Sequence, residues 1–236
     1  MFEKRSYQPE LMDDLELAND ALRKNLDELE VINKYLGGNS VVIGALEKLR
    51  IKKLIHHQKN IRIADLGCGG GDTLREIAKW AKKRKLNVEL IGIDANSFML
   101  DYASEKAKQQ DLHIVFKKID IFSEIFEQES YDISICSLFC HHFTNEELLH
   151  IFKQVQKNTR MAFIINDLHR HWFAYYSIKY ITKILNGSHL VQHDAPLSVL
   201  RAFKRKELEN LLDSANFTYY ELGWRWAFRY QIIAYL

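Results

Sequence analysis

The chain has 236 residues, enough for one domain with additions, and 47% of them are hydrophobic, which supports a substantial buried core. A formal charge of +2 gives no field to gather a nucleic acid, and Cys68, Cys136 and Cys140 form no C-x-x-C pair, which argues against a disulfide framework or a cysteine-type zinc site. No segment approaches the roughly 18 apolar residues of a membrane span, and the charged start Met1–Ser6 is unlike a signal peptide, so a cytoplasmic location is expected.

Apolar residues recur at Leu11, Leu15, Ala18, Leu22, Leu26, Leu29, Ile32 and Leu36. These steps of three and four predict one long amphipathic helix, whose acidic start at Asp13, Asp14 and Glu16 suits the macrodipole. Gly37-Gly38 ends it, and a second helix is expected from Ser40 to about Ile55. Residues 1–58 thus read as a helical cover, packed on a sheet edge or lying over a ligand site, ahead of a domain over 59–236.

From Ile61 the chain runs as a β-branched strand to Asp65, breaks into a glycine cluster (Gly67, Gly69, Gly70, Gly71) and restarts as a helix, with Thr73-Leu74-Arg75-Glu76 at capping-box spacing. Further strands are predicted over Val88–Asp94, Ile114–Ile119, Tyr131–Leu138 and Ala162–Asn166, with helix caps at Asn96-Ser97 and Thr144-Asn145-Glu146-Glu147. Such alternation means a parallel sheet with right-handed crossovers. After Asp167 come an aromatic helical segment from Trp172 to Leu185, an irregular stretch from Asn186 to Pro196 and a helix over Lys206–Ala215. Strands over Phe217–Leu222 and Trp226–Tyr235, turning at Gly223, complete the chain. The expected fold is α/β, a doubly wound, mostly parallel seven-stranded sheet with a terminal antiparallel hairpin and an insertion at about 168–203.

The glycine loop narrows the ligand. A P-loop ends Gly-Lys-Ser/Thr, whereas this loop ends Gly71-Asp72-Thr73, and a dinucleotide fingerprint wants a small residue where Asp72 stands. Asp65 and Asp72 flank the loop, where each close pair would repel a pyrophosphate by roughly 1 kcal/mol or more. They suit a ligand carrying an ammonium and a sulfonium, which favours S-adenosylmethionine.

Asp65-x-Gly67-x-Gly69-x-Gly71 resembles the first motif of class I S-adenosylmethionine-dependent methyltransferases, Ile91-Gly92-Ile93-Asp94 the second and Asp120-Ile121 the third. The stretch Tyr131 to Phe143 is similar to the small-molecule branch that includes quinone and phenol methyltransferases. The resemblance covers roughly Ile61 to Asp167 and the terminal hairpin. It implies that Gly67 and Gly69 admit the methionine part and that Asp65 accepts from its ammonium. It further implies that Asp94, with Ala95 beside it, takes the ribose hydroxyls, and that Asp120 and Ile121 meet the adenine. Ser137 follows the fourth strand, where magnesium-dependent catechol enzymes carry an aspartate, so no metal is expected. The region also lacks the Asn/Asp-Pro-Pro-Tyr sequence of base and amide methyltransferases.

A phenol or enol acceptor needs a base of pKa near the working pH, and histidine suits that task. His142, His141 and His169 follow the fourth and fifth strands at the carboxyl edge and are the candidate bases, in that order. Each can equally be a polar loop residue that orients something else. Zinc on His169-x-His171 with His189 or His193 lacks regular ligand spacing. Trp172, Phe173, Tyr175, Tyr176 and Tyr180 read as ordinary core or as the wall of an aromatic or lipidic acceptor site, and Arg201 as a substrate contact. The leading expectation is O-methylation of a small apolar phenolic or polyketide-type acceptor. C-methylation of a quinone precursor and a catalytically silent cofactor-binding protein are the alternatives. The N-terminal helix offers a face for a homodimer.

Overall fold

The computed structural model describes residues 1–15, 17–56 and 60–236. Among these, β1 (Ile61–Leu66), β2 (Val88–Asp94), β3 (Val115–Lys118), β4 (Tyr131–Ser137), β5 (Thr159–Leu168), β6 (Tyr220–Arg225) and β7 (Arg229–Tyr235) form one sheet in the order β3-β2-β1-β4-β5-β7-β6. The first five strands pair in parallel, and β7 lies antiparallel between β5 and β6. The expected doubly wound sheet with its terminal hairpin is therefore the observed one.

The central strands β1, β4, β5 and β7 are buried on both faces, which explains their near-continuous apolar runs, whereas the edge strands β3 and β6 are not. One core layer joins Ile63, Ile133, Ile164 and Ile233 to α2 (Gly38–Ile51) and α3 (Asp72–Arg84) through Leu46, Leu49, Leu74 and Ile77. The other joins Leu66, Phe163, Ile165 and Ile232 to α6 (Asn145–Asn158) and α9 (Arg205–Ser214) through Ile151, Phe152, Leu208 and Leu212. Strand order reverses at β1, whose neighbours are β2 and β4. The crevice beyond the carboxyl ends of these strands is where open α/β sheets bind ligands.

Several local expectations are corrected. The helix expected from Leu11 to Leu36 is two pieces, a 3-10 turn at Leu11–Asp13 and α1 over Asp20–Tyr35. Asn19 caps α1 by accepting from the Leu22 amide at 3.0 Å. The Leu11 and Met12 amides are drawn off the helical path onto the Asp194 carboxylate at 2.9 and 3.1 Å. Glu16 and the expected boundary at residue 58 lie outside the described residues. The second helix ends at Ile51 rather than Ile55.

Thr73 does not cap α3, which begins at Asp72 after Gly71 in the left-handed region. Its hydroxyl donates instead to Asn39 Oδ1 at 3.2 Å. The stretch expected to be irregular holds α8 (His189–Arg201), capped by Ser188 and carrying Pro196 inside. Burial of Leu190, Val191, Leu197 and Val199 holds that helix despite the proline. Gly223 is not a turn. It pairs with Gln231 within the hairpin, and the chain reverses at 226–228.

Candidate active site

Asp65 stands near the carboxyl end of β1, opposite Gly92 and Ile135. Its carboxylate is buried and Oδ1 has no partner. Burial first, then the neighbouring Asp72 and Asp94 carboxylates, push its pKa well above the usual range. A buried, unpartnered carboxyl group is costly, by about 1–3 kcal/mol, and fits a site completed by a cationic ligand. At Gly69, with φ +48°, an added Cβ would meet nothing within 4 Å, so this stretch of backbone is open to a ligand. At Gly67 the space is filled, because the Phe139 ring lies where a Cβ would be, 2.0 Å from that position. Asp72 is engaged by Asn33 Nδ2 at 3.3 Å and Asn39 Nδ2 at 3.1 Å, and so ties α1 and α2 to the loop.

Asp94 ends β2 and receives the Gly69 amide on one oxygen and the Asn96 amide on the other, each at 2.9 Å. Ala95 beside it is half-buried. Asp120 is exposed and accepts from the Phe122 amide at 2.9 Å, whereas Ile121 is buried in the core. Ser137 Oγ accepts from Asn166 Nδ2 at 2.9 Å. A cavity of about 310 Å³ opens over Asp65, Gly67, Gly69 and Ser137. Asp94, Ala95, Asp120 and Ile121 do not line it; they flank the same sheet edge on the β2–β3 side.

Beyond β4 the chain turns at Leu138, with φ +55°, into a 3-10 segment, Cys140–His142. This brings both histidines to the cavity. His141 is buried, its Nδ1 2.8 Å from Asp167 Oδ1 on β5, and its amide donates to Asp167 Oδ2 at 3.1 Å. Its Nε2 points to Glu10 Oε1, 3.6 Å away. His142 Nδ1 lies 2.6 Å from Asp13 Oδ1, and the two imidazoles lie against each other at a tilt of 33° with centroids 4.3 Å apart.

Burial alone would raise the pKa of Asp13 and Asp167, but His142 and Arg201 hold Asp13, and His141 holds Asp167, below the usual carboxylate range. An ionised carboxylate only accepts, so each Nδ1 donates, and in the neutral ring each Nε2 keeps its lone pair. Glu10 differs: burial outweighs His142 and Arg201 and pushes its pKa up to about 7.

Arg201 does not line the cavity, contrary to its expected role as a substrate contact. It is buried, donating to the carbonyls of His141 at 3.2 Å and His142 at 2.6 Å and to Asp13 Oδ2 at 2.6 Å. Arg5 grips the same turn through the carbonyls of His141 and Phe143. His169 also falls outside the cavity. It packs against His171, Phe228 and Tyr230, where burial, followed by nearby positive charge, lowers its pKa. His189 and His193 stack on each other on α8, so the His169-x-His171 metal set is not assembled.

On α7 (Trp172–Ile184) Phe173 alone of the expected aromatic wall lines the cavity. Trp172, Tyr175, Tyr176 and Tyr180 lie off it, while Phe173, Ser177 and Ile181, spaced by four, line it. Residue-level reading missed Glu10 and Asp13. Their one signal was a pair of acids three apart ahead of an apolar helix, which is indistinguishable from helix capping.

A family model described as "Methyltransferase domain" matches residues 63–161. A ubiquinone biosynthesis O-methyltransferase of Bartonella tribocorum is 26% identical over 173 residues, covering 71% of this chain and 67% of that protein. A carboxy-S-adenosyl-L-methionine synthase of Nitratiruptor is 40% identical over 73 residues, 31% of this chain and only 29% of that protein. Among solved structures, the plantazolicin methyltransferase BpumL in complex with SAH superposes with a TM-score of 0.63 at 16% identity, over 91% of this chain and 98% of that one. Magnesium protoporphyrin IX methyltransferase from Synechocystis PCC 6803, also with SAH bound, gives 0.56 at 16%, over 85% and 83%.

Proposed function

The chain belongs to the class I S-adenosylmethionine-dependent methyltransferases, and from that premise we propose that it methylates the hydroxyl oxygen of a small, apolar, phenolic acceptor. The observation that carries this reading is the pair of carboxylate-oriented imidazoles, His141 on Asp167 and His142 on Asp13, facing a largely apolar cavity that also reaches Asp65 and Gly69. When bound, S-adenosylmethionine supplies an electrophilic methyl group on a sulfonium, and transfer leaves a neutral thioether. Asp65 receives the cationic end of the donor, and open Gly69 lets it approach the backbone.

On the acceptor side, Phe173, Ile178 and Ile181 of α7 with Val199 of α8 bury the aromatic body and exclude water. His142 Nε2 takes the acceptor's proton. Asp13 fixes the tautomer that leaves this nitrogen free, and steadies the imidazolium once it forms. Arg201 and Arg5 hold the turn through its carbonyls and so fix where the ring stands.

The test is turnover of S-adenosylmethionine with a panel of phenols, read by mass spectrometry. A product heavier by one methyl substitution, lost at least a hundredfold in His142→Gln with retained cofactor binding, is expected. A methylated ring carbon would favour the quinone-precursor alternative. A modified cofactor with no methylated acceptor would favour the chemistry named for the synthase relative.

A further inference from the structure

We infer that Glu10, His141 and His142 form a binding site for a single divalent transition-metal ion of the zinc class. Each residue presents one ligand atom, and the three atoms lie within 4.8 Å of one another. Two imidazoles and one carboxylate are a donor set that zinc uses where one position is kept open. Tetrahedral coordination with bonds of about 2.1 Å would bring ligand atoms to about 3.4 Å apart. His141 Nε2 and Glu10 Oε1, at 3.6 Å, already meet that spacing. His142 needs a further approach of up to about 1.4 Å, and it is the least buried of the three.

Two independent features point the same way. First, both imidazoles are held through Nδ1 by carboxylates, Asp167 at 2.8 Å and Asp13 at 2.6 Å. This carboxylate–histidine arrangement fixes ring orientation, raises basicity at Nε2 and accompanies metal-bound histidines. Secondly, Glu10 Oε1 is a fully buried oxygen with no hydrogen-bond partner, while its other oxygen is taken by Ser198 Oγ at 2.9 Å.

The charges around the site leave room for a cation. Glu10, Asp13 and Asp167 face it, against Arg201, whose Nε is 3.7 Å from Glu10 Oε1, and Arg5 behind the turn. The ligands line the same cavity as Asp65 and Gly69, so the open position faces the acceptor space. On the reading of the acceptor as a phenol, its oxygen would complete the coordination and its proton would leave to water at the cavity mouth, in place of transfer to His142. Nitrogen donors disfavour magnesium here.

The experiment uses the full chain, stripped with a chelator and titrated with Zn²⁺ by calorimetry and with Co²⁺ by its visible d–d absorption. One ion per chain is expected, with bands typical of four or five nitrogen and oxygen ligands and no competition from excess Mg²⁺. Glu10→Gln, close to isosteric, and His142→Ala should each weaken binding more than tenfold. Asp13→Asn should weaken it about 10- to 100-fold, while His193→Ala should change nothing. Thermal melts show whether each variant is folded, and Glu10→Gln is the variant that decides if His142→Ala is not. Absence of stoichiometric uptake, or uptake unmoved by Glu10→Gln, overturns the site. Uptake of Zn²⁺ without methylation of any phenol supports the site and overturns the acceptor reading instead.

Discussion

Asp65→Asn separates cofactor binding from stability, because the two should move in opposite directions. In the free protein the Asp65 carboxyl is buried with an unpartnered oxygen, and the Asp72 and Asp94 charges add to the cost of ionising it. Opposite a bound ammonium the same group is an asset. A charged pair near 4 Å gains about 4 kcal/mol at an effective dielectric of 20, and a hydrogen bond to a charged group is worth about 1.5–3 kcal/mol net. Taking the smaller figure, with the substituted amide still able to accept one bond, the loss is about 1.5–3 kcal/mol, or roughly 10- to 150-fold in affinity.

The stability effect runs the other way. The folded-state pKa lies above the unfolded value of 3.8, so the folded chain binds more protons and loses stability as pH rises above that value. The amide has no such penalty, so the variant should melt at or above the wild-type temperature at pH 8, with the gap closing towards pH 4. Cofactor affinity of the wild type should rise with pH over the same span, with proton release on binding. Calorimetry with S-adenosylhomocysteine in buffers of different ionisation enthalpy, paired with thermal melts, reads both quantities. Affinity within about threefold of wild type, or a variant that melts lower at pH 8, would refute the assignment of Asp65 to the cationic end of the ligand.

Other perturbations test the remaining contacts. Gly67→Ala should cost about 2–4 kcal/mol, from the left-handed backbone and from a Cβ driven into the Phe139 ring. Its thermal melt should fall by several degrees and partly recover when Phe139→Ala is added. Arg201→Met removes the donor to Asp13 and to both histidine carbonyls and leaves the buried Glu10 carboxyl without its arginine. A loss of about 3–5 kcal/mol is expected in chemical denaturation. Phe173→Ala should raise the acceptor KM a few-fold, because its ring lines the cavity but is 49% exposed and so contributes only part of the roughly 1.5–3 kcal/mol of a fully buried phenyl group. Trp172→Ala, off the cavity, should leave the KM within twofold, and equal effects of the two would refute the phase assigned to that helix.

The parts of this molecule legible in the sequence are those whose cause is local. Apolar strand runs, the glycine loop after Asp65, the Asn96 cap and the Thr144 capping box each depend on residues within a few positions, and each stands where the sequence puts it. What was misread depends on partners far along the chain. The break before α1 comes from Asp194, more than 180 residues away, and the loss of the Thr73 cap from Asn39. The phase of α7 is set by which face α8 covers, a tertiary choice that a row of aromatics at nearly every position does not encode. Arg201 was placed near the site for the wrong reason: its charge is spent inside the protein, on the turn that carries the histidines.

That long-range dependence changes the meaning of the N-terminal segment. A cover that only shielded the sheet would contribute apolar surface, yet this one contributes Glu10 and Asp13, the two carboxylates that meet His141 and His142. The same segment is tied to the insertion after β5: Asp194 takes the Leu11 and Met12 amides, Ser198 donates to Glu10, and Glu28 accepts from the Ser188 amide and hydroxyl. Neither α8 nor the first turn of the chain can move without disturbing the other or the histidine turn beneath them. The acceptor side is therefore built from two segments distant in sequence that hold each other in place. The donor side, Asp65 and the glycine loop, stands on the sheet and is tied to α1 and α2 at Asp72 and Thr73. Acceptor specificity can drift by substitutions around the histidine turn and on α8 that leave Asp65, the glycine loop and its Asn33 and Asn39 contacts in place.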